Sequence, residues 1–123
     1  MDCYVYTSYM LNDINLISVM ESFKKNNKDN NITGCLLFNK GNVIQLFEGP
    51  IEKTKQLYNN LILDNRHVRF TNLLHTDINE RNLPDWNMQL VLDNTKQLDT
   101  LQVLSFKNNK IKVLFDSFKK VCK

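Results

Sequence analysis

The chain has few of the residues that build several common kinds of functional site. It holds only three glycines in 123 residues, so we expect no backbone-lined phosphate loop, and no P-loop or nucleophile-elbow pattern occurs. Its three cysteines are widely spaced and include no CxxC pair, which argues against a zinc site or a disulfide framework. The two histidines, His67 and His75, form no metal motif with neighbouring carboxylates. No catalytic motif remains, and we expect the chain not to be an enzyme.

The sequence also lacks a long apolar run. No stretch of about 18 consecutive apolar residues occurs, so we expect no membrane span. The N-terminus, MDCYVYTSY, has no basic region ahead of an apolar core, so we expect no secretory signal. Cysteines without such a signal are typical of a reducing cytoplasm, and Cys3 and Cys35 are predicted to be small core residues. We therefore expect a single cytoplasmic domain.

Positive charge is concentrated at the C-terminal end of the chain. Beyond residue 105 there are six lysines and one aspartate, a sum of +5, although the whole chain carries +3. The aromatic residues of this segment fall on its apolar side, so they do not form a stacking platform for bases. The pattern favours a solvated helix face, and nucleic acid is not expected as a partner.

Hydrophobic periodicity predicts the element order β-α-β-β-α-β-β-α-α. The order matches the split β-α-β pattern of α+β, ferredoxin-like folds. Both faces of the middle strands are apolar, so we expect two helices on one face and two C-terminal helices on the other. The predicted strands are Cys3–Ser8, Cys35–Phe38, Val43–Glu48, Val68–Leu74 and Trp86–Leu92; the predicted helices run from Asn12 or Asp13 to about Lys25, from Pro50 to Asp64, around 98–104, and from Ile111 to Val121.

One predicted strand carries a neutral amide on an apolar face. Gln45 shares a face with Val43 and Phe47, because alternate residues of a strand point the same way. A buried amide needs hydrogen-bond partners, which are either neighbouring protein groups or a bound molecule. Taken alone, the strand leaves these two interpretations open.

Several separated motifs occur in an order that is specific as a set. They are Tyr6-Thr7-Ser8, Asn26-Asn27, Ile32-Thr33-Gly34-Cys35-Leu36-Leu37-Phe38, Gly41, Gln45-Leu46-Phe47-Glu48-Gly49-Pro50, Asp64-Asn65-Arg66-His67 and Asp85-Trp86-Asn87-Met88. Over residues 3–92 the chain resembles the BLUF domain, a family of blue-light sensors that use flavin. The resemblance implies a flavin-binding domain over residues 1–93 and a C-terminal helical extension over residues 94–123, packed on the same sheet.

The resemblance also implies a role for four photoactive residues. Tyr6 would be the electron and proton donor to the excited flavin. Gln45 would bridge Tyr6 and the flavin ring, and its amide would rearrange after excitation. Trp86 and Met88, predicted with Leu90 on one face of the fifth strand, would lie near Gln45 and relay its state. Which of these two points inward stays open.

The remaining implied site residues surround the cofactor. FAD would be bound non-covalently between the first two helices, and the preference for FAD over FMN rests on the resemblance alone. Asn27 would hydrogen-bond the polar edge of the ring, and Arg66 and His67 would lie beside it. Further contacts would come from Ile17, Val19 and Leu61 on the two ring faces, and from Lys24, Lys25 or Lys28 at the diphosphate.

No effector domain follows in the sequence, so we expect a short sensor that signals through its fifth strand and C-terminal helices. The receiver would be a protein partner or a second copy of the chain. One alternative is a flavin-free interaction module of the same fold. Another is a small hydrolase of the acylphosphatase type, but Ser8-Tyr9-Met10-Leu11 does not supply the glycine-lined anion loop that such an enzyme needs after its first strand.

Overall fold

Five strands and three helices form the part of the chain that the structure describes. The structure is a computed structural model in which residues 1–11, 15–92, 106 and 108–121 are described. The elements are β1 (Asp2–Met10), α1 (Leu16–Asp29), β2 (Thr33–Asn39), β3 (Asn42–Gly49), α2 (Ile51–Leu63), β4 (His67–Asp77), β5 (Gln89–Leu92) and α3 (Asn109–Val121). Within those residues no helix is both long enough and apolar enough to cross a membrane.

The strands form one sheet in the order β4-β1-β3-β2-β5. β3 pairs antiparallel with β1 on one side and with β2 on the other, and β1 also pairs antiparallel with β4. β5 joins the far edge parallel to β2. The first four strands therefore have the split β-α-β arrangement, which confirms the predicted α+β, ferredoxin-like fold with a fifth strand added.

The sheet separates two apolar cores. One set of side chains of β3 faces α1 and α2, and the alternate set faces α3, as strand geometry requires. The core on the α3 side includes Cys3, Val5, Cys35, Leu37, Ile44, Leu46, Ile111 and Phe115. The core under α1 and α2 includes Tyr4, Tyr6, Val19, Met20, Leu36, Val43, Phe47, Leu61 and Met88. Burying each large apolar side chain contributes about 1.5–3 kcal/mol, so both faces must stay covered.

Helix α1 begins and ends later than predicted. Its N-cap is Asn15, whose side chain accepts a hydrogen bond from the Ser18 amide, while Asn12 and Asp13 lie outside the described residues. The helix continues past Lys25 to Asp29, and the Asn30 amide closes it on the carbonyls of the last turn. The asparagine-rich composition indicated a loop, but these capping bonds offset the low helix propensity of asparagine. Asn27 consequently lies on the helix.

Strand β5 is shorter than predicted, and this changes where its flanking residues point. It begins at Gln89, so Trp86 and Met88 precede it, and strand alternation does not govern them. Trp86 packs against the core on the α3 side, whereas Met88 belongs to the core under α1 and α2. The prediction that both lie on one face is wrong. The helix predicted at 98–104 lies outside the described residues, and the division at 93/94 stays a prediction.

The two buried cysteines should be inert in the folded protein. Cys3 and Cys35 are free and completely buried, and burial, helped by the nearby Glu48 carboxylate, raises the pKa of Cys3 to about 12. At pH 8 about one molecule in ten thousand then carries a Cys3 thiolate. We expect iodoacetamide to label both peptides at least a hundredfold more slowly in the native protein than in urea, measured by mass spectrometry. Equal rates in the two conditions would show that these thiols are accessible.

Candidate functional site

A chain of three side chains crosses the middle of the sheet on the face covered by α1 and α2. Tyr6 of β1 and Gln45 of β3 are directly paired across the strands. The Tyr6 hydroxyl donates to Gln45 Oε1, and Gln45 Nε2 donates to Met88 Sδ at 3.5 Å. All three side chains are 1–2% exposed. Protein side chains therefore satisfy both ends of the Gln45 amide, and the structure brings Tyr6, Gln45 and Met88 together as predicted.

The phenol of Tyr6 lies in an aromatic environment. The Phe70 ring stacks on it with centroids 4.5 Å apart, and the His67 ring meets it edge-on at 6.0 Å. Burial raises the pKa of Tyr6 well above its usual value; the Asp64 charge raises it further, and Arg66 opposes the increase. Tyr6 consequently keeps its proton at physiological pH and is a neutral hydrogen-bond donor.

A β-bulge in β4 makes this arrangement possible. The register between β1 and β4 shifts at Ser8, where Arg69 adopts a left-handed φ of 57°. His67 and Phe70 are an odd number of positions apart and would point to opposite faces of a regular strand. The additional residue at the bulge turns both towards Tyr6. This irregularity cannot be read from the alternation of apolar residues, and Phe70 was missed for that reason.

Beside Tyr6 a cleft separates α1 from α2. Its walls and floor are largely apolar, with polar groups on one side. The lining residues are Tyr6, Ser8, Met10, Val19, Phe23, Leu36, Val43, Leu61, Asp64, Arg66 and His67. The space between these atoms is about 290 Å³ with its open side included, but a water-sized sphere has only about 10 Å³ in which to move. The lining suits a flat aromatic molecule, and side chains must move apart to admit one.

Two polar contacts fix the open side of the cleft. Arg66 donates to Asp64 through Nε at 3.0 Å and Nη2 at 2.5 Å, and these bonds lower the pKa of Asp64. His67 Nε2 lies 2.6 Å from the Leu61 carbonyl, and Nδ1 lies 2.8 Å from Ser8 Oγ. A carbonyl can only accept, so Nε2 carries a proton and donates to the Leu61 carbonyl, while Nδ1 is hydrogen-bonded to the Ser8 hydroxyl. His67 thereby joins β1 to α2.

The other predicted cofactor contacts divide into two groups. Val19, Leu61, Arg66 and His67 line the cleft. Ile17 is 69% exposed, and Lys24, one heptad further along α1, is exposed as well. The buried side of α1 is formed by Val19, Met20 and Asn27, so the helix turns Ile17 and Lys24 outwards. Lys25 and Lys28 are also exposed.

Asn27 lies on α1 rather than after it, and Trp86 lies on the opposite side of the sheet from the expected one. Asn27 is buried, and its Nδ2 donates to the Asn87 carbonyl at 2.8 Å. Trp86 is turned away from Gln45 towards the α3 side, so the inward position belongs to Met88. Asn87, which lies between Trp86 and Met88 in the motif noted above, was assigned no role from the sequence, and its carbonyl holds Asn27. Residues 1–11, 15–92, 106 and 108–121 contain no group of three or more potential metal ligands.

Comparison with known proteins identifies the family of the chain. The family model described as BLUF, sensors of blue light using FAD, matches residues 1–89. The blue light- and temperature-regulated antirepressor BluF of Escherichia coli strain K12 is 36% identical over 73 residues, which are 57% of this chain and 18% of that protein. The chain thus spans less than a fifth of the length of this curated relative.

Solved structures share the fold. The dark-state structure of BlrB, a BLUF protein, has a TM-score of 0.77 at 23% identity, and the match covers 98% of this chain and 96% of that one. A bacterial light-regulated adenylyl cyclase has a TM-score of 0.73 at 30% identity, with 98% and 34% covered. Klebsiella pneumoniae BlrP1 has a TM-score of 0.86 at 23% identity, with 97% and 34% covered. On the family match, which covers most of its length, the chain belongs to the BLUF family of blue-light sensors using FAD.

Proposed function

We propose that this chain is a blue-light photoreceptor that binds FAD non-covalently in the cleft between α1 and α2 and passes a signal to a protein partner in the cytoplasm. It performs no catalysis itself. The observation that carries the proposal is the hydrogen-bonded chain from Tyr6 through Gln45 to Met88, which lies beside an apolar cleft. FAD, when bound, supplies the blue-light absorption and the redox reactivity, so the protein needs only to orient it and respond.

Tyr6 is suited to give up an electron together with its hydroxyl proton. Its raised pKa keeps the phenol protonated before excitation, and the hydroxyl points at Gln45 Oε1. Electron and proton leave Tyr6 together, so the residue acquires no net charge in its buried position. That matters because an uncompensated charge is costly where the side chain is 2% exposed.

Gln45 is the switch in this proposal. Its oxygen accepts from Tyr6 and its nitrogen donates towards Met88. Turning the amide over exchanges these positions, so that the nitrogen faces Tyr6 and the oxygen faces Met88. The sulfur of Met88 is a weak acceptor and cannot donate to the oxygen. The turned amide therefore loses its contact with Met88, and Met88 is the residue that registers the change.

The remaining cleft residues hold the ring. Val19 and Leu61 cover its faces from the two helices, while Arg66 and His67 lie at the open side. Asn27 uses one N–H for the Asn87 carbonyl and retains a second N–H and its oxygen for the polar edge of the ring. Ile17 and Lys24 point away from the cleft and have no role in this proposal.

A second candidate function is a flavin-free interaction module of the same fold. The hydrogen bonds of Gln45 are compatible with it, because protein side chains satisfy both ends of the buried amide without a bound molecule. Fold alone does not decide between the two, since one fold carries many functions.

FAD titration followed by blue light separates these functions. We expect the purified protein to bind FAD, quench its fluorescence and show a reversible shift of the flavin absorption band under blue light. Leu61→Trp fills the cleft and should weaken FAD binding at least tenfold, whereas Leu63→Trp, on the 82%-exposed position of the same helix, should not. A colourless wild-type protein that takes up no FAD would leave the interaction module as the function.

A further inference from the structure

A hollow lies on the α3 side of the sheet, opposite to the cleft. Thr7 and Asn39 line it, because they continue the rows of β1 and β2 side chains that Val5 and Leu37 belong to on that side. Thr71 of β4, the direct partner of Thr7, lines it as well. A water-sized sphere has about 370 Å³ in which to move there, against about 10 Å³ in the cleft. This is the size of pockets that bind small organic molecules.

One residue of the hollow has a buried oxygen without a hydrogen-bond donor. Asn39, the last residue of β2, is 6% exposed, and its Oδ1 accepts no hydrogen bond from any described residue. Buried side-chain oxygens nearly always have a partner, because leaving one without a donor is costly. The terminal torsion of an asparagine side chain is broad, so a turn of the amide presents this oxygen to a donor in the hollow.

The β4 bulge contributes a cation to the same hollow. Arg69 lines it from a left-handed φ of 57°, a backbone conformation that arginine rarely adopts. Its guanidinium forms no hydrogen bond or ion pair with the part of the chain that the structure describes. None of the described lining residues is acidic. The guanidinium is therefore available to an oxyanion, whose two oxygens match its parallel N–H groups.

Hydroxyl groups and one aromatic ring form other parts of the lining. Thr7, Thr71 and Tyr9 carry hydroxyls that can donate or accept. Phe118 of α3 is half-buried and borders the hollow from the helix side. Its ring favours a flat ring on the molecule that binds. The lining is thus complementary to an oxyanion, a hydrogen-bond donor and a flat ring in one molecule.

We propose that this hollow binds a small aromatic oxyanion that carries an N–H or O–H donor. Its carboxylate or phosphate group pairs with Arg69, its donor satisfies Asn39 Oδ1, and its ring packs against Phe118. The bound molecule connects β2 and β4 with α3, so it stabilises the folded protein by mass action. The hollow and the cleft lie on opposite sides of the sheet, and the inference does not rest on the proposed function.

Titration of the protein with 4-hydroxybenzoate tests the inference. FAD is present throughout, and the Leu61→Trp protein, whose cleft is filled, serves as a second sample. Calorimetry should give one site with a Kd of about 0.1–1 mM in both proteins. NMR shift changes should be largest at Thr7, Asn39 and Thr71. Benzoate, which lacks the donor, and phenol, which lacks the charge, should bind about tenfold more weakly. A parallel titration with 4-hydroxyphenyl phosphate shows which oxyanion fits better.

Two variants test the two polar contacts separately. Arg69→Asn removes the cation but keeps a residue that tolerates the left-handed φ, and it should weaken binding about tenfold. Lys40→Asn is the matched control, because Lys40 is an exposed cation with a φ of 50° that does not line the hollow. Asn39→Ala should also weaken binding about tenfold without lowering the Tm, because the lost oxygen had no donor. A purely structural asparagine would lower the Tm when replaced.

Several outcomes would overturn the inference and leave the proposed function standing. They are no saturable binding of either oxyanion, equal affinity for benzoate and 4-hydroxybenzoate, shift changes confined to the cleft, and full affinity in Arg69→Asn or Asn39→Ala. If Asn39→Ala does not fold, Arg69→Asn at its exposed position decides alone. A wild type that takes up no FAD overturns the proposed function only.

Discussion

Replacing Tyr6 by phenylalanine is expected to leave FAD binding within threefold of the wild type and to abolish the light-induced shift of the flavin band. The substitution keeps the ring that stacks on Phe70 at 4.5 Å and removes only the hydroxyl that donates to Gln45 Oε1. Without the phenol there is no donor of an electron and proton next to the cleft at this position. The other residues that line the cleft, which would hold the cofactor in the proposed function, are unchanged.

The same variant has a predictable cost in stability. Gln45 Oε1 loses its donor in a site where the side chain is 1% exposed, and an unsatisfied buried acceptor costs about 1–3 kcal/mol. Rotation of the Gln45 amide cannot recover the bond, because a phenyl ring neither donates nor accepts. We therefore expect a lower free energy of unfolding in urea together with the loss of the light response.

Tyr4→Phe is the matched control for this experiment. Tyr4 is also buried in β1 on the same face, but it stacks on Phe47 and His75 rather than contacting Gln45. FAD affinity is measured by fluorescence titration, and the response is measured as a light-minus-dark absorption spectrum. Tyr4→Phe should keep the shift, and Gln45→Leu should lose it. A normal photocycle in Tyr6→Phe would remove the donor role assigned to Tyr6.

The sequence predicted those parts of the site that depend on regular strand geometry. Tyr6 and Gln45 lie in the middle of long regular strands, so period-two alternation places Gln45 with Val43 and Phe47 on the face where they are found. The apolar residues on both faces of the middle strands also predicted that helices pack on both faces of the sheet. The residues that the ordered motifs point to include Tyr6, Gln45, Arg66 and His67, which lie on the face that carries the cleft or beside it.

The predictions of side-chain position were wrong or incomplete where the backbone departs from the regular repeat of a strand or where contacts are distant in the sequence. Phe70 reaches Tyr6 only because of the bulge at Arg69, and Trp86 points away from Gln45 because β5 starts after it. The resemblance implied a cleft position for Ile17, but Val19, Met20 and Asn27 form the buried side of α1, and Ile17 lies on its exposed side. The buried state of Glu48 depends on a turn more than thirty residues further along the chain. These contacts cannot be predicted from any local pattern of residues in the sequence.

Gly34→Ala is expected to have the largest effect on stability. A Cβ at Gly34 would lie 2.0 Å from the Leu46 carbonyl oxygen and 3.0 Å from the Phe47 Cα, both of which are backbone atoms of β3. β2 lies between β3 and β5, and the Gly34 amide is also bonded to the Trp86 carbonyl, so the strand cannot move aside on either edge. Relief of the overlap requires loss of ladder bonds in the centre of the sheet. We expect a loss of about 3 kcal/mol or more.

Gly49→Ala provides a graded comparison for this prediction. Its Cβ would lie 2.7 Å from the Asn31 carbonyl oxygen, a milder overlap at the end of β3, where the chain leaves the sheet. Calorimetry should therefore give Tm values in the order wild type, Gly49→Ala, Gly34→Ala, with the last about 10 °C or more below the first. Because the Gly34 amide also donates to the carbonyl of Trp86, two residues before Met88, any folded Gly34→Ala protein should have a weakened contact between Met88 and Gln45. Close packing of the sheet between two cores should prevent β2 and β3 from separating locally without a loss of stability. A Tm equal to that of the wild type would contradict this prediction.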